Sequence, residues 1–424
     1  MVTMTGNEAG AKDRLQQQLL VFAFLNLLLV ALLGLLLRSF PFLSSFPLAY
    51  KNLLHGHSHF AFGGWVLPVL LSLVIKSFPL LKERIAYRHW RNIAVLVLVS
   101  AYGMLLSFPV QGYKAVSISF STVSIAATVY LAMVCWKAAK ELPRTTSLLF
   151  LKWGLFYASL SAIGPFATGP LIAMGKSGSP LYFDAIYFYL HFQYNGFFTF
   201  MVLGLLYQLM EQRGKPAHGL KTFWLLNSAC LPTYALSVLW SEPSVAFNLV
   251  GAVGGLLQVA GVVYLLKDWV AAKTLKKSLL LTMALSAFVL KNILQLFSAL
   301  PAVALLAYHS RNFVIAYLHL VLLGFISLFV FSQVIKRNRL GRYGIAIFLF
   351  SFFTTEILLV FSASSSLLGF SIPYYIQLLF GCSVFFPTGA ALMVAGLVKT
   401  QRVGQVEYDK LKASLLSRHV KAKA

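Results

Sequence analysis

The chain has 424 residues, of which 59% are hydrophobic and only 11% are charged, and its mean hydropathy is +0.79. Soluble globular domains carry roughly 25% charged residues, so this composition excludes a soluble enzyme, a disordered chain and a secreted scaffold built on disulfides. The formal net charge of +24 would point to a nucleic-acid partner in a soluble protein, but here the positions of the charges have another explanation.

The main feature in chain order is a series of apolar runs of about 20 residues, long enough to cross roughly 30 Å of hydrocarbon. Twelve such runs lie near 17–37, 56–77, 92–111, 116–136, 147–172, 184–210, 220–240, 245–266, 277–300, 312–335, 343–361 and 372–398. We therefore predict an all-α, polytopic membrane protein of about twelve transmembrane helices. The spans form a single transmembrane domain, 1–424, with no separate soluble domain. The first run follows a polar segment without a small-residue cleavage site and is predicted to be retained.

The basic residues predict the orientation of these spans, because Lys and Arg in short loops stay cytoplasmic. Most of the 35 Lys and Arg residues fall in one set of alternate segments. The exceptions are Arg38, Lys51, Lys114, Lys176, Lys291 and Arg311. We predict that both termini are cytoplasmic, with short tails at 1–16 and 399–424. The positive charge then reflects topology and attraction to anionic membrane lipid, and no nucleic-acid partner is predicted.

The sequence contains no motif for several common kinds of chemistry. The three cysteines, Cys135, Cys230 and Cys382, are isolated and form no CxxC pair, so we interpret them as packing residues. The sequence contains no GxxxxGK[ST] phosphate loop and no GxSxG nucleophile motif. ATP-driven and hydrolytic reactions are therefore not supported.

Histidines inside the predicted spans are the strongest functional signal, because ionisable residues in a membrane are costly and mark functional sites. Span two carries His55, His57 and His59 near its start, span six carries His191 and span ten carries His319. All three spans run from outside to inside, so these imidazoles are predicted to share the outer third of the membrane. The remaining histidines are predicted to be surface residues: His89, His218, His309 and His419.

Imidazole is a common ligand of haem iron and of copper. A low-spin haem between two helices needs one histidine from each at similar depth, whereas a copper centre needs two or three. The predicted surroundings suit a flat macrocycle, with aromatic side chains and small residues at Phe60, Phe62, Trp65, Phe192, Tyr194, Phe197, Phe198, Gly56, Gly63, Gly64 and Gly196. There is a structural alternative for each group: His55, His57 and His59 could be interfacial polar residues at a helix mouth. His191 or His319 alone could be a histidine hydrogen-bonded to a neighbouring helix.

Three spans resemble one family, the haem-copper oxidases. The stretch HGHSHFAFGGWVLP resembles the second helix of their subunit I, in which a low-spin haem ligand stands eleven residues before a proline, as His57 does before Pro68. In the tenth span, His319 matches the other low-spin haem ligand. The stretch from His191 to Gly196 resembles the sixth helix of the nitric oxide reductases, where a histidine binds the non-haem metal.

The resemblance implies a low-spin haem, of b-type, bound by His57 and His319, with His55 and His59 as further cofactor ligands. It implies a second metal, copper or non-haem iron, bound by His191 and His59. The implied function is electron transfer, or the reduction or sensing of a small diatomic such as O2 or NO. The implied partners are an electron donor protein or quinol and a small partner subunit, and the implied location is the inner (cytoplasmic) membrane of a prokaryote.

This sequence also departs from the family pattern. Tyr317 stands at the position of the high-spin haem ligand, and Asn195 stands where the reductases have Glu. The seventh span, 220–240, contains no histidine, although the family takes a pair of metal ligands there. We therefore expect an incomplete binuclear site.

Glu356 is the only carboxylate deep in a predicted span, and Lys291 lies in the outer half of the ninth span. They are candidates for a proton relay, and Glu356 is also a candidate partner for a haem propionate. The structural alternative is either a buried pair between them, which would offset part of the cost of desolvation, or a neutral Glu356 carboxyl held by a hydrogen bond. A different class of function also remains open: twelve spans suit a secondary transporter whose membrane histidines bind substrate, metal ion or protons.

Overall fold

The computed structural model describes residues 6–214, 216–273, 275–335, 338–370 and 372–401, with backbone only at 6, 7 and 366–368. Within these ranges every regular element is helical. The long helical segments are α1 (Gly6–Ser39), α2 (Tyr50–Ser77), α3 (Tyr87–Gln111), α4 (Ala115–Ala139), α5 (Thr146–Ala173), α6 (180–211), α7 (Gly219–Cys230), α8 (Val245–Ala271), α9 (Leu279–Phe297), α10 (Arg311–Val334), α11 (Arg339–Leu368) and α12 (Tyr375–Gln401). Short helical pieces connect some of them, at Phe40–Phe42, Pro79–Arg84, Tyr234–Ser237, Leu239–Ser241 and Pro301–His309.

Ten helices in the described ranges are long and apolar enough to cross a membrane. The predicted all-helical membrane architecture is therefore confirmed, while the count of twelve spans stays a prediction. The two segments outside the ten are α6 and α7. Polar residues such as Gln193 and Asn195 lower the hydropathy of α6, and α7 ends after 12 residues.

The first helix extends into the predicted N-terminal tail. Helix α1 begins at Gly6, because its first turns find polar partners on the connection between α2 and α3. The Lys12 ammonium is buried, donates to the backbone carbonyl of Lys82 at 3.0 Å and pairs with Glu8 at 3.2 Å. Glu8 in turn accepts from the backbone N–H of Tyr87 at 2.8 Å. In the predicted C-terminal tail, residues 402–424 lie outside the described residues.

Each long helix packs against the next one along the chain, and α12 packs back against α1. Three helices far apart in sequence also contact one another. The ring of Phe62 on α2 meets that of Phe198 on α6 at 5.3 Å, and Tyr194 on α6 meets Tyr317 on α10 at 6.2 Å. The indole of Trp65 donates to Ser327 at 3.1 Å, which joins α2 to α10. Helices α2, α6 and α10 thus meet one another across the fold.

These same three helices each contain a segment of π-helix, at Ala61–Val66, Phe192–Phe198 and Leu320–Ser327. Such wide turns are rare and often occur at functional sites. Each follows a histidine in a repeated pattern, Tyr/His-x-His-x4-Gly-aromatic, which begins at His57, Tyr189 and Tyr317. The repeated glycine permits close packing, because a Cβ at Gly64 would lie 2.6 Å from the ring of Phe60 and one at Gly196 would lie 2.6 Å from Tyr157.

Candidate functional site

The structure brings His57 and His319 into one site between α1, α2, α10 and α11. Their rings are close enough to influence each other's charge. The ring of His319 is fixed by a hydrogen bond of 3.1 Å between its Nδ1 and Oε1 of Glu356 on α11. A carboxylate bonded to one ring nitrogen is the usual way in which proteins orient a histidine that ligates a metal.

The ring of His57 packs against α1 at a position where only glycine fits well. A Cβ at Gly34 would lie 3.2 Å from Cε1 of His57, tighter than an ordinary contact. The Nδ1 atom of His57 is buried and makes no hydrogen bond of ordinary geometry, although the backbone of Val30 lies close to the ring. A buried polar atom without a partner is costly, so a ligand that bonds to this ring would remove that cost.

The ring nitrogens of this pair are therefore available for iron. Within the described residues, neither nitrogen of His57 makes a hydrogen bond of ordinary geometry, and His319 uses only Nδ1. A haem with two axial histidines requires one such nitrogen from each of two helices. The residues present thus fit the group that the sequence predicts.

Arg38, at the end of α1, belongs to the same site. Its guanidinium interacts electrostatically with His57, Glu356 and the hydroxyl groups of Tyr50 and Tyr375. A half-buried guanidinium beside the candidate ligands matches the needs of a carboxylate such as a haem propionate. Sequence reasoning did not select Arg38 as a site residue. The available signal was its position among the few basic residues outside the cytoplasmic segments.

The other histidines of α2, His55 and His59, face the end of α3. The His59 ring stacks on Phe108 with centroids 4.3 Å apart, and its Nε2 lies 2.6 Å from the hydroxyl of Tyr113. The His55 ring contacts the edge of Tyr113 at 4.7 Å. These contacts describe packing between α2 and the α3–α4 connection, so their predicted role as cofactor ligands gains no geometric support.

The ring of His191 forms hydrogen bonds to both sides of a break in the neighbouring helix α7. Helix α7 ends at Cys230, two residues before Pro232, because proline lacks an N–H and disfavours helix at the preceding residue. The freed carbonyl of Cys230 lies 2.8 Å from Nε2 of His191. On the other side of the ring, Nδ1 lies 3.0 Å from the hydroxyl of Ser237 and 3.1 Å from Nδ2 of Asn195. Both nitrogens are committed to protein groups.

The predicted second metal site is not assembled. His191 and His59 have separate partners, and the part of the chain that the structure describes contains no group of three or more His, Cys, Asp or Glu side chains able to hold a metal ion. These residues do not fit the copper or non-haem iron that the resemblance implies.

The two intramembrane charges do not pair with each other. Glu356 bonds to His319, whereas Lys291 is completely buried, with its Nζ 3.4 Å from Oδ1 of Asn292 and 5.8 Å from the centre of the Phe288 ring. Lys291 instead interacts electrostatically with His191 and Cys230. The suggested ion pair is therefore wrong, because the two side chains belong to different helix clusters.

Two predicted surface histidines are in fact engaged. Nδ1 of His89 lies 2.6 Å from the hydroxyl of Tyr130, and Nδ1 of His218 lies 3.1 Å from Oδ1 of Asp268, a carboxylate with 2% exposure. Neither is simply solvated, because a neighbouring helix supplies a partner. His309 is exposed, as predicted, and His419 lies outside the described residues.

Fold and composition together define a polytopic, all-helical membrane protein. No known protein-family model matches the chain, and no curated protein matches it.

Proposed function

We propose that the chain is an integral membrane haemoprotein in which His57 and His319 bind one low-spin, b-type haem. The observation that carries the proposal is that each ring keeps a nitrogen without a hydrogen bond among the described residues, while a carboxylate fixes the ring of His319 and the two rings interact electrostatically. Glu356 orients His319, and the guanidinium of Arg38 would form an ion pair with a haem propionate. When bound, the haem supplies one-electron chemistry through its iron.

Electron transfer is the proposed role of this haem. Two axial histidines leave no open iron position, and binding of O2 or NO requires one. A second, gas-binding haem lacks its ligand, because Tyr317 occupies that position and its hydroxyl donates to Oε1 of Gln295 at 3.3 Å. We therefore favour electron transfer over the reduction or sensing of a diatomic gas.

The proposal includes the topology and partners predicted from the sequence. It places both termini in the cytoplasm, with α6 and α7 as the sixth and seventh of twelve spans in the inner membrane of a prokaryote. Hydrogen bonds within the bundle offset the polarity of α6: Gln193 donates to Ser161 at 2.8 Å, and Asn195 bonds His191. Electrons would come from a donor protein or a quinol, and a small partner subunit is part of the same proposal.

One observation favours a second candidate, a secondary transporter. Helix α7 is interrupted after Cys230, and a small cavity lies beside the break, lined by Asn195, Thr233 and Gln258 among others. Interrupted helices with freed carbonyls form substrate and ion sites in many transporters. In this reading the histidines serve substrate or protons rather than haem.

An absorption spectrum of the detergent-purified protein separates the two candidates. From cells supplied with haem precursors, we expect a sharp α-band when dithionite-reduced protein is compared with oxidised protein. The band should be absent from His57→Ala and His319→Ala, and it should persist in the matched control His309→Ala, whose side chain is exposed. A well-folded protein without the band would reject the haem proposal and favour transport.

A further inference from the structure

A small cavity lies between α6, α7, α8 and α9, beside the break in α7. Its lining includes Asn195, Cys230, Thr233, Gln258 and Phe288. The cavity volume is about 10 Å³, which is roughly the space that one water molecule needs. None of the residues proposed to hold haem lines it.

Two amide oxygens at this cavity lack hydrogen-bond partners. Oδ1 of Asn195 and Oε1 of Gln258 are buried and unpaired, and the two residues are only 3% and 7% exposed. Each unpaired buried acceptor costs about 1–3 kcal/mol. Two of them facing one polar cavity indicate a common occupant that donates hydrogen bonds.

Several hydrogens of the polar groups around the cavity are already used. Thr199 donates its hydroxyl hydrogen to the carbonyl of Tyr194 at 2.6 Å, and Thr233 donates to that of Ala229 at 2.8 Å. Nδ2 of Asn195 is directed to His191. The two unpaired amide oxygens therefore present lone pairs, which favours a hydrogen-bond donor or a cation as the occupant.

A buried ammonium lies near two residues that line the same cavity. Lys291 has 0% exposure, its Nζ lies against the ring of Phe288, and it interacts electrostatically with Cys230, both of which line the cavity. Its one hydrogen bond among the described residues is long, 3.4 Å to Asn292. An ammonium has three hydrogens to donate, so most of its bonding capacity is unused.

We propose that the cavity is a binding site for one water molecule that solvates the ammonium of Lys291. The water accepts a hydrogen bond from Nζ of Lys291 and donates its two hydrogens to Oδ1 of Asn195 and Oε1 of Gln258. One molecule then satisfies three groups from three helices. A metal cation is disfavoured because the adjacent ammonium would repel it.

This site explains how Lys291 is tolerated without a carboxylate partner. The water transfers part of the ammonium's hydrogen bonding to α6 and α8, so three helices share the stabilisation of one charge. Phe288, one turn before Lys291, packs on Phe325 of α10 with ring centres 4.7 Å apart. The hydrated ammonium therefore anchors α9, which packs directly on the helix that carries His319.

A double-mutant cycle tests the bridge, because Lys291 and Gln258 make no direct hydrogen bond within the described residues. We expect Gln258→Leu to lower the unfolding temperature of the purified protein by several degrees when Lys291 is present. The same change should have a much smaller effect in a Lys291→Met background, where no ammonium needs solvation. The control is Asn248→Leu on the same helix, which loses its bond to Ala299 and should act equally in both backgrounds. Equal effects of Gln258→Leu in the two backgrounds would overturn the proposal.

A second measurement distinguishes water from an ion. An electron cryomicroscopy map that resolves ordered waters should show one peak within hydrogen-bond distance of Lys291, Asn195 and Gln258. Replacement of sodium by potassium, lithium or choline in the buffer should leave the unfolding temperature unchanged. Lack of the peak, or stabilisation by one cation alone, would contradict the proposed water site.

Discussion

His319 and His191 stand at the same position of the same repeated pattern, each just before a π-helical segment, yet the structure uses them differently. His319 faces the continuous helix α11, whose Glu356 binds one ring nitrogen and leaves the other free. His191 faces the broken helix α7, whose freed Cys230 carbonyl and Ser237 hydroxyl occupy both nitrogens. The pattern sets where an imidazole lies, and the neighbouring helix sets what it can do.

The largest expected effect is on haem binding, which should depend on His319 and not on His191. His319→Gly should abolish the haem spectrum completely, because one axial ligand is lost. Imidazole added to the buffer should restore part of the spectrum by entering the space that the side chain has left. His191→Gly should keep its spectrum without imidazole. Loss of haem in both variants would erase the proposed distinction.

The second effect concerns stability. His191→Ala should leave the haem spectrum intact but lower the free energy of unfolding by about 1–3 kcal/mol, because the Asn195 amide loses its buried partner and the Cys230 carbonyl keeps only the Thr233 hydroxyl. Thermal unfolding followed by tryptophan fluorescence measures the loss. Unchanged stability would show that the hydrogen bonds of the His191 ring do not stabilise the break in α7. The exposed residue His309 again supplies the control, with His309→Ala expected to change neither quantity.

A smaller effect is expected on the midpoint potential of the haem, and it tests the carboxylate of Glu356 that bonds to His319. Glu356→Gln should retain haem but raise its midpoint potential, because a neutral amide makes the imidazole a weaker donor and stabilises ferric iron less. The expected shift is on the order of 60 mV, the one-electron equivalent of a tenfold change in equilibrium. Redox titration followed in the α-band measures it. A lower or unchanged potential would rule out this role for Glu356.

The smallest effect tests the packing of His57. Gly34→Ala places a methyl group 3.2 Å from its ring, so the ring must shift slightly. Haem should still bind, with a modest change in the position of the α-band or in the fraction of protein loaded. Gly10→Ala on the same helix meets no atom within 4 Å and should change neither. Identical behaviour of the two variants would place His57 elsewhere.

Sequence reasoning reached the helical membrane class, because hydropathy is a local property of single helices, whereas the pairing of His57 with His319 stays a prediction. It did not reach the roles of His191, Lys291 or Arg38, because these depend on which side chains the neighbouring helices present. Pro232 was a visible sign of the break in α7, and the threefold Tyr/His-x-His-x4-Gly pattern was visible as well. Their meaning emerged only from the carbonyl of Cys230 and the π-helical segments in three dimensions.

The most direct test of the central claim is electron paramagnetic resonance of the oxidised protein, with haem content quantified on the same sample. The account expects one b-type haem per chain and a low-spin signal typical of two imidazole ligands. That signal should vanish in His57→Ala and in His319→Ala and persist in His191→Ala. A low-spin signal that survives removal of His57 or of His319 would contradict the account.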